Sequence, residues 1–403
     1  MSTTERVDYK PFSSDPSPAF AALRETDPVH LHDDGEHRFY AVSRHAEVRQ
    51  MLTDRATWSI RYGQMHTYTP GQGLNVDPPQ HTAIRRVLNP HFRVERVAQF
   101  AAEFAGVARR MVDGFIARGG RGDFSADFAA LYPVHIAAIV LGIDPSRQEE
   151  LRQWTFGWTQ ALNSGDMEAE SRWRQTIYAY FEELLAARRA EIAAGTDVAE
   201  DLVTLMARAT HEDGTPFSDE ELLPSALLLL IGGIDTTGLL LTNCMYRLLA
   251  ERTNWERLCA EPELIVLAIE ESLRRDSPVF GVFRTNDRET SLGGTQLARD
   301  TKVQMLFASA NRDPAVFADP DTFSLDRDLN ELRRNHLAFG GGIHACIGNS
   351  VARLSARIAL TELTRRMPSL RLAGEPERYQ SVEGAIAVNN GLTFLPVAWD
   401  ERS

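Results

Sequence analysis

The stretch that decides the fold is Phe339-Gly340-Gly341-Gly342-Ile343-His344-Ala345-Cys346-Ile347-Gly348, where glycines lie on both sides of one cysteine. A helical pattern, Asn349–Leu363, begins directly after it. A thiolate in such a loop can accept hydrogen bonds from backbone N–H groups and lies near the positive end of a helix, and both effects lower the pKa of a thiol. Small residues also let a flat ligand approach the backbone. Taken alone, however, the loop favours a buried cysteine in a tight turn.

A second unusual segment is Gly232-Gly233-Ile234-Asp235-Thr236-Thr237, which interrupts a leucine-rich stretch. Each glycine costs about 1 kcal/mol relative to alanine in a helix interior. The pair therefore indicates a helix that lies close to something bulky or is locally opened. Asp235 beside Thr236 could relay protons into a dry pocket. A helix–helix contact with a solvated aspartate explains the segment equally well.

The composition and net charge exclude several classes of protein. The chain has 403 residues, 43% hydrophobic and 25% charged, with a formal net charge of −13. This globular composition excludes a disordered or fibrous chain, and so acidic a protein lacks the basic surface of a nucleic-acid binder. Three scattered cysteines, Cys244, Cys259 and Cys346, are too few for a disulfide framework and form no C-x-x-C zinc pair. They indicate a reducing cytoplasm.

Export and membrane signals are not predicted. The N-terminus is polar and rich in proline, which is unlike a signal peptide. The most apolar stretch, Leu222–Leu241, is interrupted by Pro224, two glycines and Asp235, so it falls short of the about 20 apolar residues that span a bilayer. We therefore expect a soluble cytoplasmic protein.

Local patterns predict a mainly helical chain with a minor β portion. Ser218 and Glu221 form a capping box that opens a long helix. Alternating apolar residues and turn signals predict two hairpins and a terminal strand, over Val29–Val42, Thr290–Phe307 and Gly391–Trp399. No repeat or linker divides the chain, which predicts one domain.

Four motifs in order resemble the cytochrome P450 family. The cysteine loop is similar to the family's haem-ligand loop, F-G-x-G-x-H-x-C-x-G, and Gly232–Thr237 is similar to its oxygen-binding helix. Glu271-Ser272-Leu273-Arg274 fits its E-x-x-R helix. Asp77–Arg86, DPPQHTAIRR, fits the D-P-P-x-H-T-x-x-R-R segment of its bacterial soluble members. The resemblance extends from about residue 35 to Trp399.

The resemblance implies the cytochrome P450 fold, a single domain over residues 1–403 that encloses a haem. It implies β-rich parts at 35–60, 290–310 and 380–399, a helical part at 97–275 and the haem-ligand loop at 339–348. The cofactor would be haem b, with Cys346 as the iron's thiolate ligand. The other implied haem-binding residues are His81, Arg85, Gly232, Arg284, Phe339, His344 and Gly348.

The resemblance also implies roles for residues around the haem. Asp235 and Thr236 would deliver protons to O2. Glu271, Arg274 and Arg327 would form a buried structural network beneath the cysteine loop. A loose alignment gives a mainly apolar substrate pocket, with loop residues near Tyr68 as a lid; its predicted lining is Leu228, Ile231, Gly232, Phe280, Val282, Val388 and Asn389.

The activity that these residues imply is that of a haem-thiolate monooxygenase acting on an apolar small molecule. Its electrons would come from a separate ferredoxin or flavodoxin with its reductase, docked near Arg86, Arg333, Arg334 and Arg353. Neither nucleic acid nor membrane is expected as a partner. The alternatives are a peroxide-using or oxidative-coupling member of the family and, in another class, a haem-dependent sensor without turnover.

Overall fold

A computed structural model of the chain describes residues 16–378 and 389–400. These residues form two compact units. The first takes the described residues within Met1–Gly71, Glu270–Cys346 and Arg378–Asn390, and the second those within Gln72–Ile269, Ile347–Glu377 and Gly391–Ser403. Helices dominate, and the predicted fold class, mainly α with a minor β portion, is confirmed. The assignment of the whole chain to a single domain stays a prediction.

The helices of the described residues follow one another along most of the chain. In order they are α1 Ser17–Thr26, α2 His45–Thr53, α3 Gln80–Leu88, α4 Val94–Val97, α5 Ala101–Ile116, α6 Tyr132–Leu141, α7 Gln148–Ser164, α8 Met167–Ala193, α9 Leu202–Ala207, α10 Asp219–Ala250, α11 Arg252–Ala260, α12 Leu264–Arg275, α13 Phe307–Ala310, α14 Leu329–Asn335 and α15 Asn349–Arg366. A π-helical turn, Ser125–Ala129, precedes α6.

The strands are short. In order they are β1 Val29–Asp33, β2 Arg38–Val42, β3 Trp58–Ser59, β4 Arg121–Asp123, β5 Val282–Asn286, β6 Thr290–Leu292, β7 Thr295–Leu297, β8 Lys302–Met305, β9 Arg371–Leu372, β10 Glu377–Arg378, β11 Leu392–Phe394 and β12 Pro396–Ala398.

The first unit is built on a five-stranded sheet in the order β1-β2-β8-β5-β3. The β1/β2 hairpin is the predicted one, with Val29 opposite Val42, and β8 then pairs parallel to β2 and antiparallel to β5. One hydrophobic cluster of this unit combines sheet residues with α2 and the β6/β7 hairpin; its buried members are Val29, Val42, Val48, Met51, Trp58, Leu292, Leu297, Val303, Met305, Phe307, Ala310 and Leu337.

Three of the β predictions need correction. The hairpin predicted over Thr290–Phe307 ends at Leu297, because every residue of β8 is buried and the strand pairs with β2 and β5 instead. The strand predicted over Gly391–Trp399 is divided at Leu395, whose N–H donates to Asp123 Oδ1 at 2.9 Å. The part at 35–60, predicted to be β-rich, contains helix α2.

The second unit is arranged around the 32-residue helix α10. The predicted capping box is confirmed, because the Ser218 side chain accepts from the Glu221 backbone N–H and the Glu221 side chain accepts from the Ser218 backbone N–H. Pro224 lies within the helix. By length and composition α10 could cross a membrane, contrary to the prediction from its interruptions. However, 67% of its most apolar window is buried inside the fold, which accounts for its apolarity by core packing.

Helix α10 approaches its neighbours closely where it carries small residues. A Cβ on Gly238 would lie 2.9 Å from the Ala129 carbonyl oxygen, so glycine is required for this contact with the π-helical turn. The Tyr132 hydroxyl of α6 donates to the Ser355 carbonyl of α15 at 3.2 Å. These contacts join α10 to the π-helical turn and α6 to α15.

Candidate active site

In the first unit, the cysteine loop is held against α2. The Cys346 N–H donates to the Phe339 carbonyl at 2.9 Å, which closes the loop. Gly340 and Gly342 have φ values of 65° and 62°, in the left-handed region that favours glycine. A Cβ on Gly342 would also collide with the Leu52 carbonyl oxygen. The backbone therefore presents Cys346 as an exposed cysteine, while Cys244 is buried and Cys259 partly buried.

The E-x-x-R residues form a fully buried ion pair in the same unit. Arg274 donates from Nε and Nη2 to the two Glu271 oxygens, each at 2.7 Å, and both side chains are 0% exposed. Glu271 also accepts from Arg327 Nε at 2.9 Å. Arg274 makes further hydrogen bonds to backbone carbonyls at Asn311, Pro320 and Thr322. The structure thus brings the three predicted network residues together.

Other predicted residues of the first unit lie on or beside β5. Arg284 is buried on β5 and donates from Nη1 to the Phe283 carbonyl at 2.9 Å. Val282 is partly buried. The Phe280 ring packs edge-on against the ring of Phe20, with centroids 6.2 Å apart. Asn389 forms an antiparallel β-bridge with Val279, three residues before β5 begins. His344 ends a 3₁₀ turn two residues before Cys346, and Val388 lies outside the described residues.

In the second unit, α10 carries one stripe that is less buried than the rest of the helix. Its residues recur every three or four positions: Leu228, Leu229, Gly232, Gly233, Asp235, Thr236 and Leu239. Gly232 and Gly233 are exposed, and a Cβ on either would meet no described atom within 4 Å. Ile231, predicted with this set, is buried instead. The glycines thus open a space alongside the helix.

Asp235 and Thr236 lie on this stripe in different surroundings. Burial raises the pKa of the Asp235 carboxyl to about 6, although the hydrogen bond that it accepts from Thr159 Oγ1, at 2.5 Å, opposes the rise. The Thr236 hydroxyl donates to the Gly232 carbonyl at 2.6 Å, within the helix. An acid that changes protonation near neutral pH next to a hydroxyl is suited to proton transfer.

The predicted His81 and Arg85 share one face of α3, because they are four residues apart. His81 is buried and Arg85 is partly buried. Arg86, the next residue, is exposed and donates to Glu212 Oε1 at 3.0 Å. Arg86 therefore differs from His81 and Arg85 in exposure and in its partner.

The comparisons with known proteins agree on one family. The family model of "Cytochrome P450" matches residues 154–266 and 263–368. A "Steroid C26-monooxygenase" from Mycolicibacterium smegmatis is 36% identical over 75% of this chain and 73% of its own length. "Cytochrome P450 monooxygenase PikC" from Streptomyces venezuelae is 31% identical over 96% of this chain and 92% of its own. The chain belongs to the cytochrome P450 family. The resemblance carried by the four motifs is confirmed.

A solved structure supports the same assignment for the P450 fold. The P450 PksS of the bacillaene polyketide synthase from Bacillus subtilis superposes with a TM-score of 0.86 and 25% identity, covering 97% of this chain and 98% of that one. The protein is accordingly a P450 monooxygenase, and its cofactor is haem b. Its predicted fold and activity class are therefore confirmed at this level.

The residues of this P450 fit that cofactor in two observed respects. Cys346 supplies a thiol, the ligand by which such enzymes hold iron, on a glycine loop that leaves it exposed. Gly232 and Gly233 leave room beside α10 that any larger side chain would fill.

Sequence reasoning missed Thr159, the partner of Asp235. It is one of several polar residues in α7, and no motif or periodicity sets it apart. It also missed Leu52, whose carbonyl requires glycine at position 342. Both contacts join residues that are far apart in sequence, so only the fold identifies them.

Proposed function

We propose that this P450 inserts one oxygen atom of O2 into a C–H or C=C bond of an apolar small molecule, with electrons from a separate ferredoxin or flavodoxin and its reductase. The observation that carries the proposal is the Asp235–Thr236 pair on the open stripe of α10, beside Gly232 and Gly233. A protein that only binds or senses a gas has no need of an acid and a hydroxyl at such a place. We therefore favour turnover over sensing.

In this proposal Cys346 is the thiolate ligand of haem b, and when bound the haem supplies the activation of O2. His81, Arg85, Arg284 and His344 hold the two propionates, with Phe339 and Gly348 as further haem contacts. The buried Glu271–Arg274–Arg327 network supports the segment that precedes the cysteine loop.

Asp235 is the proton carrier in this proposal. Its raised pKa, about 6, means that the carboxyl can take up a proton from solvent and give it up again near neutral pH. The Thr236 hydroxyl both donates and accepts hydrogen bonds, so it can hold a proton donor at the open side of the helix. Removing either group should waste electrons as hydrogen peroxide rather than abolish haem binding.

The proposed substrate is apolar because the residues assigned to the pocket are mainly aliphatic or aromatic, with Asn389 as a polar anchor. Leu228 on the open stripe of α10 and Val282 on β5 support this. Relatives described as a steroid C26-monooxygenase and a vitamin D(3) 25-hydroxylase favour bulky, largely hydrocarbon molecules as the first to test.

For the redox partner we propose an acidic ferredoxin, with contacts among Arg86, Arg333, Arg334 and Arg353, in the bacterial cytoplasm. Arg86 and Arg333 already make ion pairs, with Glu212 and Glu270. A docked acidic protein would therefore compete with those carboxylates, so its binding should weaken as ionic strength rises.

Two measurements test the proposed function. The carbon monoxide difference spectrum of the reduced protein should show the strongly red-shifted band of thiolate ligation, and Cys346→Ala should lose it. Turnover of a steroid panel with a surrogate ferredoxin, reductase and NADPH under heavy-oxygen O2 should then give product carrying one labelled atom.

The alternatives give different results in these assays. Product formed only when hydrogen peroxide is added would indicate a peroxide-using enzyme, and unlabelled dimers would indicate oxidative coupling. A normal carbon monoxide spectrum with no NADPH consumption under any condition would instead indicate a sensor.

A further inference from the structure

Helix α7 contacts Asp235 of α10 through the hydroxyl of Thr159. Thr159 Oγ1 donates to Asp235 Oδ2 at 2.5 Å. The bond occupies one carboxylate oxygen and leaves Oδ1 for a second partner. Because a hydroxyl that donates to a carboxylate stabilises the charged form, this contact bears directly on the protonation of Asp235.

Thr159 is held in place by tight packing of α7 on α8. Two residues earlier, a Cβ on Gly157 would collide with the indole of Trp173, so the helices touch there. The next residue, Trp158, donates from Nε1 to Glu170 Oε1 at 2.8 Å. Glu170 is itself buried, 7% exposed, so this hydrogen bond is shielded from water. These two contacts fix the position of α7 at the turn that carries Thr159.

We propose that Thr159 is a positioning residue for proton delivery, whose hydroxyl orients the Asp235 carboxylate and sets which of its oxygens receives and passes the proton. The inference rests on the proposed role of Asp235. It assigns to α7 a function that no motif of the sequence indicates.

The electrostatic surroundings leave Thr159 as the main polar influence on Asp235. Burial and the Thr159 hydrogen bond are the causes of its pKa shift, and no charged side chain of the described residues contributes. Several titratable groups on elements that pack against α10 have other partners: Glu170 with Arg174, Arg188 with Asp201, Arg189 with Asp219, Asp127 with Arg118, Arg353 with Asn349 and His135 with Gln148.

The test is an infrared pH titration of the Asp235 carboxyl in the holoenzyme. The band of the protonated acid is identified by its loss in Asp235→Asn. In Thr159→Val the hydroxyl is removed with little change of volume, so the titration midpoint should rise by about one pH unit, a tenfold change in proton affinity. Thr159→Ser should restore the wild-type midpoint.

Thr155→Val is the matched control. Thr155 lies one turn earlier on α7, is buried, and donates its hydroxyl to the Leu151 carbonyl of its own helix at 2.7 Å. This substitution should leave the midpoint unchanged. An unchanged midpoint in Thr159→Val, or an equal shift in Thr155→Val, overturns the proposal.

The pH profile of hydrogen peroxide release is a second measurement, which tests whether the Thr159–Asp235 hydrogen bond affects proton delivery. With NADPH, a surrogate ferredoxin and reductase, and no organic substrate, the pH profile of hydrogen peroxide release should move by the same amount as the infrared midpoint. A shifted midpoint with an unmoved profile would overturn the role in delivery. The infrared result does not depend on product formation, so it remains informative even if wild-type enzyme oxygenates nothing and the proposed function fails.

Discussion

Replacing Arg274 by alanine tests the buried network most directly. The substitution removes a guanidinium that makes two hydrogen bonds to Glu271 and three to backbone carbonyls, all at 2.7–3.0 Å. Glu271, which is 0% exposed, would keep Arg327 and the Ser324 N–H as its partners among the described residues. Breaking a buried ion pair from one side costs about 3–5 kcal/mol, because the remaining buried charge loses most of the contacts that compensate its desolvation.

The stability lost in Arg274→Ala should be measured by differential scanning calorimetry of the holoenzyme. At about 2.1 cal/mol/K of unfolding entropy per residue, a chain of 403 residues shifts its melting temperature by about 1.2 °C per kcal/mol, so the melting temperature should fall by roughly 4–6 °C. Haem content after purification should fall with it. Arg365→Ala is the control, since Arg365 forms the same i,i+3 pair type with Glu362 but is 62% exposed. Exposed pairs contribute about 0–1 kcal/mol, so this variant should melt close to wild type.

A double substitution distinguishes the ion pair from its packing. Arg274→Met combined with Glu271→Leu removes both charges, so it should cost less than the sum of the single substitutions. If Arg274→Ala and Arg365→Ala have the same melting temperature, the Glu271–Arg274 pair contributes no more than a surface pair and the reasoning is refuted.

Three further outcomes follow from individual contacts. Gly342→Ala, which needs a positive φ and collides with the Leu52 carbonyl, should lose the thiolate carbon monoxide band, whereas Gly294→Ala, with a positive φ in open space, should keep it. Lys302→Met loses two hydrogen bonds, to the carbonyls of Tyr62 and Met65, and should speed hydrogen exchange of the backbone amides in the segment from Tyr62 to Met65. Unchanged exchange rates in that segment would contradict this prediction. Burial lowers the pKa of His66 to about 4, so the fold should lose stability as the pH falls from about 6.5 to 4, and His66→Phe should remove that acid sensitivity in urea titrations.

The sign of the His66 effect follows from which state binds the proton. The unfolded chain takes up a proton near the ordinary histidine pKa, whereas the folded chain takes it up only near pH 4. Stability is therefore complete above the ordinary value and is lost as the pH falls through this window. His37, whose ring centroid lies 4.9 Å from that of His66, adds to the same shift when it is protonated.

Features set by neighbouring residues could be predicted from the sequence. The β1/β2 hairpin has its turn signal between two apolar arms, and the capping box of α10 needs only Ser218 and Glu221. The pairing of Glu271 with Arg274 follows from their spacing on one helix. In each case the interaction that forms the structure lies within a few residues, so the pattern of residue types is sufficient.

Features that depend on residues far apart in the chain could not be predicted from the sequence. Nothing in Lys302–Met305 distinguishes the second arm of a hairpin from a central strand, and the choice depends on β2, which lies far away in the chain. Likewise, Asp235 is recognisable by its motif, but its protonation depends on Thr159, and hence on how α7 packs on α8 through Gly157 and Trp173. The motifs therefore single out candidate residues, while the packing around Asp235 sets the proton affinity of its carboxyl.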